Sequence, residues 1–251
     1  MRFEVLGPLQ VTVGEQQLPL GGSMQRKLLA LLVAAGNQPV SVDRLVDEMW
    51  GDEPPPSAVH LIQVYVSRLR GLLAAEGAHQ IRRDGPAYVF ELAVGDLDSA
   101  VLERLVETAA TTGPTDRAVA EELAEAVSLY RGRPYGDLAD ESAMLQAEAQ
   151  RLEDLYLQAR ELLADLHLDL GRHHDVAADM EDLTARYPFR ESFWAQLMLA
   201  LYRSGRQAEA LRVYSRLRHQ LGEELGIETT PALRDLEERI LLQDYELLWE
   251  A

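Results

Sequence analysis

The spacing of apolar residues changes along the chain, and each spacing predicts a different kind of element. Residues 2–20 carry short apolar runs separated by glycine-containing turns, which is typical of a small antiparallel sheet. From residue 23 to residue 77 apolar residues recur at steps of three and four, which predicts helices. Residues 81–92 alternate around a turn, and most of the chain after residue 96 returns to the helical spacing.

Three helices are predicted between the sheet and the alternating segment. The first runs through Ala35, with Ser23 as its N-cap, and the second has Ser41 as its N-cap. Three consecutive prolines end the second helix. The third helix then occupies the stretch that ends at Gly77, with Ser57 as its N-cap.

The third predicted helix is amphipathic. One face would hold its apolar residues, which are Ala58, Ile62, Tyr65, Val66, Leu69, Leu72 and Leu73. The opposite face would carry His60, Gln63, Val64 and Ser67, with Arg68 and Arg70 on its flanks. Histidine, glutamine and serine can hydrogen-bond base edges in a major groove, and arginine can reach phosphate or guanine. Taken alone, such a helix is more often an ordinary surface helix, so the neighbouring segments decide the interpretation.

The alternating segment predicts a β-hairpin. Ile81–Arg83 and Tyr88–Leu92 flank a turn containing Gly85 and Pro86. Strands, three helices and a hairpin, in that order, are the elements of a winged helix-turn-helix, whose third helix enters the major groove. We therefore expect DNA contacts from the hairpin and from the start of the first helix, through Arg82, Arg83, Arg26 and Lys27.

The segment from Gln25 to Leu73 resembles a known family. Its Val40–Ser41, Asp43–Arg44–Leu45, Trp50–Gly51–Asp52 and Val66–Ser67–Arg68–Leu69–Arg70 steps are similar to the OmpR-type winged helix, a two-component-type effector domain. This form occurs at the N-terminus of the Streptomyces antibiotic regulatory proteins, the SARP family. The resemblance implies sequence-specific binding to double-stranded promoter DNA.

An internal repeat marks the helical part of the chain. Gly171–Arg172 and Gly205–Arg206 lie 34 positions apart and are followed by similar helical segments. A period of 34 residues with two helices per unit is the tetratricopeptide (TPR) signature, in which stacked helix pairs bury a shared core. Phe193, Trp194, Tyr202 and Tyr214 are predicted to belong to that core.

The helical part also resembles a family element. The sequences AVSLYRGRPYGDL and LRHQLGEELGIETTPALRDLEERIL look like the bacterial transcriptional activation domain that follows the winged helix in SARP regulators. We therefore predict an α+β winged helix-turn-helix domain over residues 1–95 and an all-α TPR-like domain over residues 96–251. The chain resembles the short, two-domain form of the family. It has no GxxxxGK[ST] loop, so no nucleotide switch is expected.

The charge of the chain bears on the expected DNA binding. The formal net charge is −18, which opposes phosphate binding. However, residues 1–95 contain 8 Lys and Arg against 10 Asp and Glu, whereas the rest of the chain contains 16 against 32. The first domain therefore remains compatible with weak, salt-sensitive binding to DNA.

The chain has no cysteine, no apolar run of membrane-spanning length and no signal-peptide pattern. A cytoplasmic location at the bacterial nucleoid is therefore expected.

No pattern for enzymatic chemistry is present. There is no nucleophile elbow, dinucleotide fingerprint or catalytic cysteine, and His167, His173 and His174 lack the spacing of known metal motifs. We expect no catalytic, cofactor or metal site.

The leading hypothesis is a transcriptional activator of a secondary-metabolite gene cluster. It would bind promoter direct repeats, form a homodimer at least on DNA, and recruit the RNA polymerase holoenzyme. Two alternatives remain open. One is a TPR-like adaptor whose winged helix has lost DNA binding, and the other is a regulator gated by a small ligand among the C-terminal helices.

Overall fold

The computed structural model describes residues 1–74, 81–111 and 116–248. The chain divides into two compact units. The first comprises Met1–Glu107 and Glu125–Gln158, and the second comprises Thr108–Ala124 and Ala159–Ala251. The first unit therefore includes helical segments that follow the winged helix in sequence. The domain boundary between residues 95 and 96 stays a prediction.

The first unit begins with the winged helix predicted from the sequence. Its strands are β1 (Arg2–Glu4), β2 (Gln10–Val13), β3 (Gln16–Gln17), β4 (Val40–Ser41), β5 (Ile81–Asp84) and β6 (Ala87–Phe90). Its helices are α1 (Ser23–Ala34), α2 (Val42–Trp50) and α3 (Ala58–Ala74). The residues between Ala74 and Ile81 lie outside the described part, and with them the predicted end of the third helix at Gly77.

The strands form two small antiparallel sheets. One has the order β1-β2-β3, with Phe3 opposite Val11. In the other, β6 lies between β4 and β5, so that Tyr88 is paired with both Val40 and Arg83. The predicted hairpin is confirmed. An additional pairing, between β4 and β6, joins it to the start of α2, and the sequence pattern does not predict this pairing.

A side-chain N-cap is present at the start of α2 and absent at the start of α1. Ser41 is the N-cap of α2, and its hydroxyl accepts a hydrogen bond from the Arg44 backbone N–H at 3.2 Å. The prediction of Ser23 as the N-cap of α1 was wrong, because Ser23 already lies in the helix and Gly22 is the N-cap, without a side-chain bond. The Gly22 carbonyl accepts the first helical bonds, from the Gln25 and Arg26 N–H groups.

A buried carboxylate joins the start of the chain to the helix that follows the wing. α4 (Asp98–Thr111) begins with Asp98, whose side chain is 1% exposed. Its oxygens accept hydrogen bonds from the backbone N–H groups of Val5, at 2.8 and 3.0 Å, and of Leu6, at 3.1 Å. The Arg131 guanidinium lies 3.9 Å from the same carboxylate. Asp98 thus satisfies backbone donors that would otherwise be buried without partners.

The remaining described helices are α5 (Arg117–Ser128), α6 (Ala143–Asp169), α7 (His173–Arg186), α8 (Glu191–Arg203), α9 (Gln207–Leu225) and α10 (Pro231–Leu241). The described part of the chain contains no helix long and apolar enough to cross a membrane.

The repeat predicted in the helical part is visible as a repeated turn in the second unit. Gly171 and Gly205 both have a φ of 76°, and each ends a helix in the left-handed region that favours glycine. Arg172 and Arg206 follow, and their N–H groups bond the carbonyls of His167 and Leu201 at 2.8 and 2.9 Å. The predicted core aromatics Phe193, Trp194, Tyr202 and Tyr214 are all at most 8% exposed. The TPR-like prediction is therefore confirmed.

Replacing Asp98 with asparagine should change how stability depends on pH. Burial raises the pKa of Asp98 from 3.8 to about 6, although the N–H groups of Val5 and Leu6 and the Arg131 guanidinium act in the opposite direction. Between these two values the folded protein holds a proton that the unfolded chain has lost. The free energy of unfolding of the wild type should therefore fall as the pH rises through this window, by up to about 3 kcal/mol.

The asparagine of the Asp98→Asn variant does not titrate, so the difference in urea unfolding between wild type and variant should itself vary with pH in that window. If the free energies of unfolding of the two proteins changed in parallel as the pH was varied, Asp98 would have an ordinary pKa.

Candidate nucleic-acid interface

The apolar face of α3 is buried in the first unit as predicted. Ile62, Leu69 and Leu73 are 0% exposed, and Ala58 and Val66 are at most 5% exposed. Tyr65 and Leu72 are half-buried at the edges of this face. Because one side of α3 is fixed in the core, its opposite side must face outward.

The outward face carries the predicted base-reading residues. His60, Gln63 and Ser67 are exposed, and Val64 is half-buried. In an α-helix each residue turns by about 100°, so Gln63 and Ser67 lie on successive turns of one stripe, with His60 beside them. Val59 lies on the same stripe with 49% of its surface exposed, and it is not among the residues predicted to contact DNA.

The two arginines of α3 have different surroundings. The Arg70 Nε donates a hydrogen bond of 2.7 Å to the Ile81 carbonyl, which links the helix to the first strand of the wing. Arg68 is exposed, and no partner for its guanidinium occurs among the described residues. Within the described part of the chain, both side chains keep N–H groups without a protein acceptor, and these can reach a phosphate.

The wing arginines are exposed but already have partners. The Arg82 Nη2 lies 3.1 Å from Glu91 Oε1, and its Nη1 lies 3.9 Å from Asp84 Oδ2. The Arg83 Nε donates a hydrogen bond of 3.2 Å to the Gly85 carbonyl. Exposed ion pairs contribute about 0–1 kcal/mol, so a phosphate can displace these carboxylates at little cost.

Arg26 and Lys27, neighbours at the start of α1, are placed differently. Arg26 is half-buried at the surface, whereas Lys27 is 5% exposed. The Lys27 Nζ donates to the Met49 carbonyl at 3.2 Å and to the Glu141 carbonyl at 2.5 Å. Burial lowers the pKa of Lys27, and Glu141 and Glu48 partly offset this effect. Lys27 therefore holds the end of α2 to residue 141, and we remove it from the predicted set of DNA contacts.

The arrangement defines a class of protein. A three-helix unit with a hairpin after its third helix, and a polar outward face on that helix, is a winged helix-turn-helix domain. In this fold the third helix is the element that enters the major groove of DNA.

Comparison with known proteins identifies families to which parts of the chain are similar. Residues 16–88 match the family model of the transcriptional regulatory protein C-terminal domain, and residues 97–241 match that of the bacterial transcriptional activator domain. The regulatory protein AfsR of Streptomyces coelicolor is 37% identical over 247 residues, which are 97% of this chain and 24% of AfsR. The regulatory protein DnrI of Streptomyces peucetius is 33% identical over 258 residues, covering 97% of this chain and 93% of DnrI.

A solved structure is also similar. Mycobacterium tuberculosis EmbR in complex with a low affinity phosphopeptide has a TM-score of 0.88 and 34% identity, over 96% of this chain and 65% of that one. The chain belongs to the SARP family of transcriptional regulators, as its resemblance indicated. It spans about a quarter of the length of AfsR.

Lys27 and Arg26 provide a matched test of this placement. Replacing Lys27 with methionine leaves the Met49 and Glu141 carbonyls without their donor, so the free energy of unfolding should fall by about 1–3 kcal/mol. Replacing Arg26 with alanine should change it by less than about 0.5 kcal/mol. Urea unfolding measures both values, and equal stability of the two variants would contradict the structural role of Lys27.

Proposed function

We propose that this chain is a sequence-specific DNA-binding activator of transcription. It binds direct repeats in promoters of a secondary-metabolite gene cluster as a homodimer and recruits RNA polymerase. The observation that supports this most is the outward face of α3, which presents His60, Gln63 and Ser67 on a helix that the Arg70–Ile81 hydrogen bond joins to the wing. The activator domain matched over residues 97–241 supports the direction of regulation.

In this proposal, one set of residues contacts the bases and another set contacts the phosphates of the DNA backbone. His60, Gln63, Val64 and Ser67 contact base edges, because their face is the one turned away from the core. The anchors on phosphate are Arg26, Arg68, Arg70, Arg82 and Arg83, which all have exposed or half-buried side chains.

The charge of the chain explains why a dimer is needed. With 8 basic and 10 acidic residues in positions 1–95, one winged helix gains little from phosphate neutralisation. Two winged helices on adjacent repeats bind with a high effective concentration, which offsets the weak individual contacts. The acidic residues after position 95 are repelled by DNA, so that part of the chain is suited to protein contacts. The proposal involves no enzymatic step or cofactor, and it places the protein in the cytoplasm.

One observation favours a second candidate, a protein-docking adaptor that no longer binds DNA. Arg82 is paired with Glu91 and Asp84, so the wing is close to neutral. The two candidates differ in a band shift on promoters of the neighbouring genes. An activator forms a complex that salt weakens, and an adaptor forms none.

Substitutions in the wing and in α3 should have different effects on DNA binding. Changing both Arg82 and Arg83 to alanine removes phosphate contacts, so affinity should fall for operator and unrelated DNA alike and the salt dependence should become shallower. Changing Gln63 or Ser67 to alanine should reduce affinity mainly for the operator, by about 1–3 kcal/mol per lost base contact. Titrations of operator and scrambled duplexes at two salt concentrations measure both effects. Identical profiles for the two sets of variants would refute the division into readers and anchors.

Spacing between the repeats tests the dimer. Inserting about 5 base pairs turns one repeat by about half a helical turn relative to the other, because B-DNA has about 10.5 base pairs per turn. The affinity for the double site should then fall roughly tenfold or more, toward that of a single repeat. Inserting about 10 base pairs, which restores the facing, serves as the control. If binding were indifferent to the half-turn insertion, the protomers would bind independently.

A further inference from the structure

The first turn of α3 exposes an apolar side chain. Val59 is 49% exposed, although its neighbour Ala58 and the next inward residue, Ile62, are 5% and 0% exposed. Val59 lies one turn before Gln63 and two turns before Ser67, so the three side chains form one stripe along the outward face. The stripe therefore begins with a group that cannot form hydrogen bonds.

Stability of the free protein does not explain a valine at this position. Half of its surface is open to water, so it gains only part of the burial energy of a core valine. A β-branched residue is also less favourable in a helix than alanine, glutamine or arginine. Among the described residues of the first unit, Val94 is the other large apolar residue with a comparable exposure, at 50%. Val94 lies outside α3, in the turn Val94–Asp96.

We propose that Val59 reads thymine, by contacting the 5-methyl group of one thymine in each repeat of the operator. This inference rests on the proposed function, because it requires α3 to enter the major groove. There, the thymine methyl is the apolar group that the bases present, and apolar side chains are its usual partners. The N-terminal residues of a recognition helix are those that reach base edges, and Val59 is the second residue of α3.

The contact complements the polar readers. His60, Gln63 and Ser67 distinguish bases by donors and acceptors, whereas Val59 distinguishes thymine from cytosine by the presence of a methyl group. Burying one methyl group against Val59 removes apolar surface from both partners. The expected gain is small for a single contact, and it acts once in each protomer of the dimer.

Deoxyuridine gives a direct test, because it replaces thymine without changing base pairing and removes only the methyl group. The probe is an operator duplex located by footprinting this protein, with each thymine replaced in turn. For the wild type, one position in each repeat should lose affinity about three- to fourfold, the equivalent of one methyl group. The Val59→Ala variant should bind the thymine operator more weakly by a similar factor and should be insensitive to deoxyuridine at that position.

Val59 and Val94 form a matched pair of variants. Val94→Ala should keep the wild-type deoxyuridine profile. Val59→Ala should remain folded, because alanine favours the helix and the valine that it replaces is only about half buried, and thermal unfolding checks this. If the folded Val59→Ala variant lost affinity at the same thymines as the wild type, Val59 would not contact a methyl group. That result would leave the proposed function standing, whereas the absence of any specific complex for the wild type would refute the proposed function itself.

Discussion

The burial of one face of α3 is the constraint on which the candidate interface depends. Ile62, Leu69 and Leu73 are completely removed from solvent, so the helix cannot rotate without exposing them. Each such side chain contributes roughly 1.5–3 kcal/mol when it is buried. This cost fixes the direction of the opposite face more firmly than any polar contact could. The positions that are open to DNA are therefore a consequence of the core.

Two long-range contacts extend this constraint beyond the winged helix. Lys27 connects α1 to the end of α2 and to residue 141, and Asp98 connects the first strand region to the start of α4. Both are charged groups that are buried in return for several hydrogen bonds to backbone atoms. They make the winged helix and the following segments of the first unit a single packed body. The only lysine of the chain is thus used for structure, and arginine supplies the other basic side chains.

Most features set by neighbours in sequence could be predicted, with the N-cap of α1 as an exception, because Gly22 and not Ser23 occupies it. Features set by distant residues could not be predicted. The two faces of α3, the N-cap at Ser41 and the repeated turn at Gly171 depend on residues a few positions apart, so the sequence pattern contained them. The burial of Lys27 depends on a carbonyl 114 residues away, and the partners of Asp98 lie up to 93 residues away. From the sequence alone, Lys27 was indistinguishable from the half-buried Arg26 beside it. Val59 was missed because an apolar residue is expected on the inward face of an amphipathic helix, although its spacing of four from Gln63 places it on the outward face.

A tethered cleavage reagent tests the central claim that α3 lies in the major groove. The chain has no cysteine, so Ser57→Cys, just before α3, and Ser215→Cys, on α9, each create a single attachment site on an exposed serine. An iron chelate attached at residue 57 should cut each operator repeat at a few adjacent base pairs, and the same chelate at residue 215 should not produce that pattern. Equal cleavage from both positions, or none from residue 57 in a complex that forms, would contradict the account.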